Sequence, residues 1–264
     1  MVPLEQDFAG TLRAVAAMGY KEVETVGTFG RDPAYVREML DRSGLVSPSQ
    51  HLMPGDLYAT FNGFTQGRIS APEAHRRFLE LRSIEHVTPI IEEGIARARV
   101  LGQKYIVWQA FLPEQMANRE LLNRFCRAMN TAGKLCAHAG LEFNLHNQSV
   151  EFVRVNGYVP YDVVVENTDP GTVGLELDVF WAFAAKADPI AYFDRYPGRY
   201  RQCHLKDGTA DGQLTTVGHG VVDFPAVLRA AAKAGVRHYY VEYDRAADPM
   251  KETRLFYGYL QRLM

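Results

Sequence analysis

Four short runs in this 264-residue sequence carry side chains that bind divalent cations or move protons. They are Asn144-Leu145-His146, Leu175-Glu176-Leu177-Asp178, Arg201-Gln202-Cys203-His204-Leu205-Lys206-Asp207 and Tyr240-Val241-Glu242. In a strand, alternate residues share a face. His146 then stands with Asn144 and Gln148, and Asp178 with Glu176. His204 stands with Gln202 and Lys206, and Glu242 with Tyr240 and Asp244. Charged groups gathered inside a small fold need partners, because an unpaired buried charge is costly. A salt-bridged, hydrogen-bonded core network would meet that need without an ion. A single divalent cation held by His146, Asp178, His204 and Glu242 would also meet it. Two imidazoles and two carboxylates suit Mn²⁺, Co²⁺, Fe²⁺ or Zn²⁺ better than the cations that prefer all-oxygen shells. Mn²⁺ is the first choice, with Co²⁺, Zn²⁺, Fe²⁺ or Mg²⁺ as alternatives.

The elements that must position these residues follow one rhythm: a helical pattern ends at a glycine and a strand-like run follows. Gly19, Gly44, Gly102, Gly140 and Gly235 each close such a pattern, and Pro170-Gly171 and Pro197-Gly198 serve the same purpose. Glycine suits the left-handed position just past a helix end. The intervening helices are amphipathic: Phe8, Leu12, Val15 and Ala16 form one face, and Leu122, Phe125, Met129 and Ala132 another. Phe224, Val227, Leu228 and Ala231 form a third, with Asp223 as N-cap. Alternating helices and strands imply parallel strands covered by helices. No Gly-x-Gly-x-x-Gly follows a strand, which weakens a dinucleotide-binding sheet. Polar residues at several strand C-ends favour an α/β fold of the (β/α)8 TIM-barrel kind, whose chemistry sits on that face.

The whole chain, 1–264, reads as one such domain. It opens on a helix, so the first strand is short, with Val2-Pro3-Leu4 as its stub, or missing. The stretch 53–84 reads as a lid-like insertion after the third strand, with Gly63-Phe64-Thr65-Gln66-Gly67 as loop and a helix starting near Pro72, capped by Ser70.

Composition excludes several classes. A formal net charge of −2 and no basic tract leave no electrostatic footprint for a nucleic acid. The three cysteines form no Cys-x-x-Cys pair, and their odd number argues against a disulfide framework. No signal peptide and no membrane-length apolar run are seen, and a cytoplasmic setting is expected.

The runs Leu145-His146-Asn147-Gln148-Ser149-Val150-Glu151-Phe152, Leu175-Glu176-Leu177-Asp178-Val179-Phe180-Trp181, His204-Leu205-Lys206-Asp207, Val217-Gly218-His219-Gly220-Val221-Val222-Asp223-Phe224 and Tyr240-Val241-Glu242 together resemble the sugar phosphate isomerase/epimerase family. The likeness extends over 7–260. It implies the xylose isomerase-like TIM barrel, a missing first strand, and one metal ion at the C-terminal mouth, with ligands at His146, Asp178, His204 and Glu242. It also implies a pocket histidine at His51. The sequence departs from the family's epimerases at two points. His146 replaces one of their paired acid–base glutamates, and Trp181 replaces a substrate-binding histidine.

The chemistry expected is proton abstraction next to a carbonyl of a sugar or keto-sugar, polarised by the metal. Glu242 is the expected base, with His51, His146 or Lys206 as proton donor and Lys206 as anion stabiliser. Trp108, Gln148, Trp181 and His219 are expected to contact substrate, with core packing as the other reading of Trp108, and His219 from a flexible Gly218-His219-Gly220 loop. Reprotonation gives an isomerase or epimerase. Loss of a β-leaving group from a 3-keto-glycoside or inosose gives a lyase. A non-catalytic sugar-binding barrel is a further alternative, and an endonuclease IV-like multi-metal nuclease is disfavoured by the charge. The partner is a small-molecule sugar or keto-sugar, with no nucleic acid and no membrane; a homo-oligomer is an open expectation, and the last helix (Phe256, Tyr257, Tyr259) could pack on the barrel or on a second subunit.

Overall fold

The structure, a computed structural model, describes residues 2–109, 111–244 and 246–263. Strands β1 (Glu22–Val26), β2 (Val46–His51), β3 (Tyr105–Gln109), β4 (Glu142–His146), β5 (Val173–Asp178) and β6 (Tyr200–Leu205) are followed by a small hairpin, β7 (Asp207–Gly208) with β8 (Leu214–Thr215), and by β9 (His238–Val241). The large sheet runs β1-β2-β3-β4-β5-β6-β9. Every neighbouring pair in it is parallel. The result is a nearly closed barrel with helices outside it. Across the seam between its first and last strands, His238 Nδ1 lies 2.7 Å from Glu22 Oε2.

The helices form where the apolar period predicts them. Helix Phe8–Ala17 buries Phe8 and Leu12. Helix Arg119–His138 buries Leu122, Phe125, Met129 and Ala132. Helix Phe224–Ala234 begins with the Asp223 side chain accepting from the Ala226 amide and ends at Gly235 with φ 94°. Each large apolar side chain so buried contributes about 1.5–3 kcal/mol. The faces of the last two helices pack on the outer side of the sheet, where Ile106, Trp108, Phe143, Leu145, Leu175 and Leu177 join one continuous core, while Phe8 and Leu12 belong to a separate cluster with Phe29, Val36 and Leu40. The aromatic residues of helix Pro249–Leu260 turn inward: Phe256 is buried, and Tyr257 and Tyr259 close on Gly19 and Gly218.

Two expectations are corrected. Val2–Gln6 is helical, not a strand stub. Pro3 in the first turn suits a helix start, where its missing N–H is an orphan anyway. The stretch after β2 contains helix Leu57–Thr65, so Gly63, Phe64 and Thr65 are helical. Gly63 is tolerated there because Ile69 lies where its Cβ would be. The second helix, Ala71–Leu81, starts at the expected cap, Ser70, whose hydroxyl accepts from the Glu73 amide.

The barrel interior below the mouth is polar and tightly matched. The Asn144 side-chain amide donates to Gln202 Oε1, and Gln202 Nε2 donates to the Tyr240 hydroxyl at 3.5 Å. Any Cβ at position 174 would collide with Asn144 Oδ1, so this β5 position requires glycine. That polar floor sets the level at which the functional side chains begin.

Candidate active site and metal-binding residues

Strand register lines up the chemistry. His146 on β4 pairs with Glu176 on β5. Asp178, two residues on, pairs with His204 on β6, and His204 with Tyr240 on β9. β5 therefore supplies a carboxylate at each of two depths.

The deeper group is built from Glu24, His51, His146, Glu176 and His204. His51 Nε2 lies 3.0 Å from Glu24 Oε2 and 2.9 Å from Glu176 Oε2. His204 Nε2 lies 2.7 Å from Glu24 Oε2 and 3.5 Å from Glu176 Oε2. His146 Nδ1 lies 3.0 Å from Glu176 Oε2, yet at an angle that makes no hydrogen bond. Ser49 fixes Glu24 by donating its hydroxyl to Oε1 at 2.6 Å. Glu176 is fully buried, and its Oε1 has no partner among the described residues.

The second group sits at the mouth. Lys206 Nζ lies 3.1 Å from Asp178 Oδ2, 3.0 Å from Glu242 Oε2 and 2.9 Å from Asp244 Oδ2. The Lys206 side chain is 2 % exposed, whereas those of Glu242 and Asp244 are 37 % and 38 % exposed. Asp178 Oδ1 caps the helix Val179–Ala184 by accepting from the Phe180 and Trp181 amides. Asn147 clamps the Asp178 backbone to β4, accepting from its amide at 3.0 Å and donating to its carbonyl at 3.3 Å. The Trp181 ring lies under the ammonium at 4.9 Å. His204 joins the two groups: its Nδ1 lies 2.8 Å from Glu242 Oε2 while its Nε2 faces the deeper carboxylates.

The charges compensate one another. Burial and the Glu176 charge push Glu24 upward, but His51 and His204 outweigh them and hold it below the usual carboxylate range. Glu176 is held well below that range, because three imidazoles overcome its burial. Burial lowers His51, yet the two glutamates prevail and raise it to about 10. His204 is likewise raised well above its ordinary value by Glu176 and Glu242 against burial. For His146 burial prevails and the pKa falls. At the mouth, Lys206 is raised by Asp178, Glu242 and Asp244 despite its burial. Glu242 is held well below its ordinary value, since Lys206 and His204 outweigh desolvation. Desolvation and the neighbouring Glu242 push Asp244 up to about 7.

Two donor sets have ligating atoms within 4.8 Å of one another: His51, His146, Glu176 and His204, and Asp178, His204 and Glu242. The sequence-derived quartet is thus divided, with His204 in both halves and His146 grouped apart from Asp178 and Glu242. Buried His146 Nδ1 and Glu176 Oε1 in the first set, and Asp178 Oδ2 in the second, make no hydrogen bond among the described residues, which is what a metal ligand looks like without its ion. Imidazole with carboxylate fits a first-row transition ion.

Of the remaining expected residues, Lys206 lies at the mouth and His51 in the deeper group. Gln148 is half-buried after β4, its amide donating to Glu151 Oε2 at 3.0 Å. Trp108 is corrected: it shares register with Leu145 and packs in the outer core, away from the barrel interior. A strand's parity decides this, because Gln109, not Trp108, is level with His146. His219 is exposed, and its loop is tied down rather than free: buried Asp207 accepts from the amides of Gly218, Gly220 and Val222. Glu24, Glu176 and Asp244 are absent from the sequence-derived set. Glu22 and Glu24 alternate in the first strand, and such acidic alternation inside a barrel strand is the signal that points to Glu24.

A family model for the xylose isomerase-like TIM barrel matches residues 12–257. The chain is 22% identical over 277 residues to the inosose dehydratase of Lacticaseibacillus casei, covering 96% of this chain and 87% of that protein. It is 23% identical over 278 residues to the inosose dehydratase of Salmonella typhimurium, covering 96% and 86%. A solved sugar phosphate isomerase/epimerase from Parabacteroides distasonis superposes with a TM-score of 0.80 at 26% identity, over 98% of this chain and 94% of that one. An L-ribulose 3-epimerase shares the fold with a TM-score of 0.65 at 17% identity, over 96% and 87%. No helix among the described residues is long and apolar enough to cross a membrane. With nearly its whole length matched by the family model and its acidic and imidazole side chains gathered at the C-terminal ends of parallel strands, this chain belongs to the xylose isomerase-like TIM barrel family.

Proposed function

We propose that this protein is a metal-dependent enzyme that removes the proton next to a carbonyl of a keto-sugar or inosose-like keto-polyol. The observation that carries this reading is a half-exposed carboxylate beside a buried ammonium: Glu242 Oε2 stands 3.0 Å from Lys206 Nζ at the open end of the barrel. Glu242 takes the proton. Lys206, held protonated by its carboxylates, faces the negative charge that then develops on the carbonyl oxygen. His204 orients Glu242 through its Nδ1. The Trp181 ring forms an apolar wall beside Lys206. A divalent ion, which His204 with its imidazole and carboxylate neighbours would hold, would supply Lewis-acid polarisation of a carbonyl.

Two fates are open to the proton on Glu242. Returned to a departing β-hydroxyl, it leaves as water, which is dehydration; the likeness to inosose dehydratases favours this fate. Returned to the neighbouring carbon, it gives isomerisation, and a proton delivered by a second acid to the opposite face of the original carbon gives epimerisation; the likeness to the isomerase/epimerase structure favours these outcomes. His51, turned toward Glu24 and Glu176, belongs with the residues that hold the ion rather than with the proton donors.

Incubation with Mn²⁺ in D₂O and a panel of inososes, ketoses, aldoses and 3-keto-glycosides tests this. Deuterium should enter beside the carbonyl, and an enone should appear with a dehydration substrate. Glu242→Ala and His204→Ala should each lower the rate by about 10²–10⁴-fold. No exchange with any member of the panel, or wild-type rates in both variants, would overturn the reading.

A further inference from the structure

The ion that the family implies and the residues at the mouth do not fit together, and we infer that in this protein the cation belongs one layer deeper, among His51, His146, His204 and Glu176, with Glu24 beside them. This rests on the reading that the site is metal-dependent, and it concerns only where the ion sits.

Three observations carry it. First, the mouth already holds a cation of its own. Lys206 Nζ lies within 3.1 Å of Asp178 and closer to Glu242 and Asp244. A divalent ion placed among the same carboxylates would meet that ammonium at short range. Lys206 is also buried and reaches the mouth from the strand end next to Asp207, itself buried and fixed by backbone amides, so it has little room to withdraw.

Second, the deeper donors are spaced like one coordination shell. Metal–nitrogen bonds of about 2.0–2.1 Å put neighbouring ligand atoms roughly 3.0 Å apart in an octahedron and roughly 3.4 Å apart in a tetrahedron. The donor atoms here are 2.7 to 3.5 Å apart along the contacts that join His51, His146 and His204 to Glu24 and Glu176. One of those contacts, His146 Nδ1 with Glu176 Oε2, makes no hydrogen bond, and the other oxygen of that carboxylate, Oε1, has no partner among the described residues.

Third, His204 is arranged for that side. One imidazole nitrogen ligates, and the other orients the ring through a hydrogen bond to a carboxylate. With Nε2 on the deeper side, Nδ1–H donates to Glu242 at 2.8 Å. Glu242 then orients a ligand instead of being one, and its carboxylate stays free for the proton. The fully buried Glu176 replaces Asp178 as the β5 ligand, and Asp178 keeps its work as helix cap and Lys206 partner.

The test counts imidazoles on the ion and needs no turnover. Metal-stripped full-length protein is loaded with one equivalent of Co²⁺ or Mn²⁺. X-ray absorption and pulsed electron paramagnetic resonance should then report three imidazole ligands; a single imidazole would overturn the inference, because only His204 serves the mouth group. Calorimetric titration with Co²⁺ supplies the second measurement. Glu176→Gln and His51→Gln should each weaken binding by at least about tenfold, and Asp178→Asn, which keeps the cap, should stay within about threefold. The reverse order, or no binding by the wild-type protein, would overturn it as well. The imidazole count on wild-type protein stands even if Glu176→Gln fails to fold. Failure of deuterium exchange with three imidazoles present would refute the proposed reaction and leave the metal location intact.

Discussion

The deeper and outer halves of this barrel mouth each gather carboxylates at strand ends and balance them differently. In the deeper half, Glu24 and Glu176 face three imidazoles, which can carry a proton or give up a lone pair to a metal. In the outer half, Asp178, Glu242 and Asp244 face one ammonium, which can only donate. An imidazole cluster is therefore open to an external cation, and a lysine-filled carboxylate cluster is closed to one. Glu151 shows a third case, a buried carboxyl with no imidazole or ammonium in contact among the described residues. It accepts from the Phe111 and Gln148 amides at 2.9 and 3.0 Å, which ties together the loops after β3 and β4. Burial outweighs those bonds and the Arg82 charge and pushes it up to about 7.

The sharpest way to break the contrast is to remove the ammonium. Lys206→Met leaves three carboxylates without their cation and should destabilise the metal-free protein by about 3–5 kcal/mol. It should also open the mouth as a second cation site, so that Mn²⁺ titration gives two equivalents where wild type gives one, and added Mn²⁺ should restore much of the lost stability. An unchanged stoichiometry together with unchanged stability would show that Lys206 does not hold the mouth closed.

Glu151 offers a smaller effect with a definite sign. Its folded value of about 7 lies above the unfolded value, which is about 4.3. The fold therefore prefers the protonated acid. That contribution is complete below the unfolded value and is lost as pH rises through about 7. Between pH 5 and pH 8, wild type should lose on the order of 2 kcal/mol of unfolding free energy relative to Glu151→Gln. Denaturant titration of both proteins at the two pH values measures it, and parallel pH profiles would contradict it.

The smallest effect tests whether the deeper half rests on its polar floor. Gly174→Ala drives a methyl into Asn144 and should cost about 1 kcal/mol or somewhat more. Pairing it with Asn144→Ala should recover part of that loss, as a shift in denaturation midpoint. Additive losses in the double variant would show that the two positions do not meet.

The amino-acid sequence by itself specified the periodic elements and the parity of each strand. Phe125, Met129 and Ala132 recur at helical spacing, and Asp223, Ser70 and Gly235 mark helix ends, because those choices depend on neighbours a few residues away. The same local rules brought His146, Asp178, His204, Lys206 and Glu242 to strand ends. They left Trp108 open between core and pocket, since one residue of register separates core from interior. The depth of each side chain was decided only by tertiary structure. Strand stagger in the barrel sets Glu176 level with His146, and Asp178 level with His204. Glu24, 180 residues from His204 in the chain, meets it only when the sheet curls nearly closed. Local sequence determines which face a side chain takes. Only the curvature and stagger of the assembled sheet determine which distant charge it will find there.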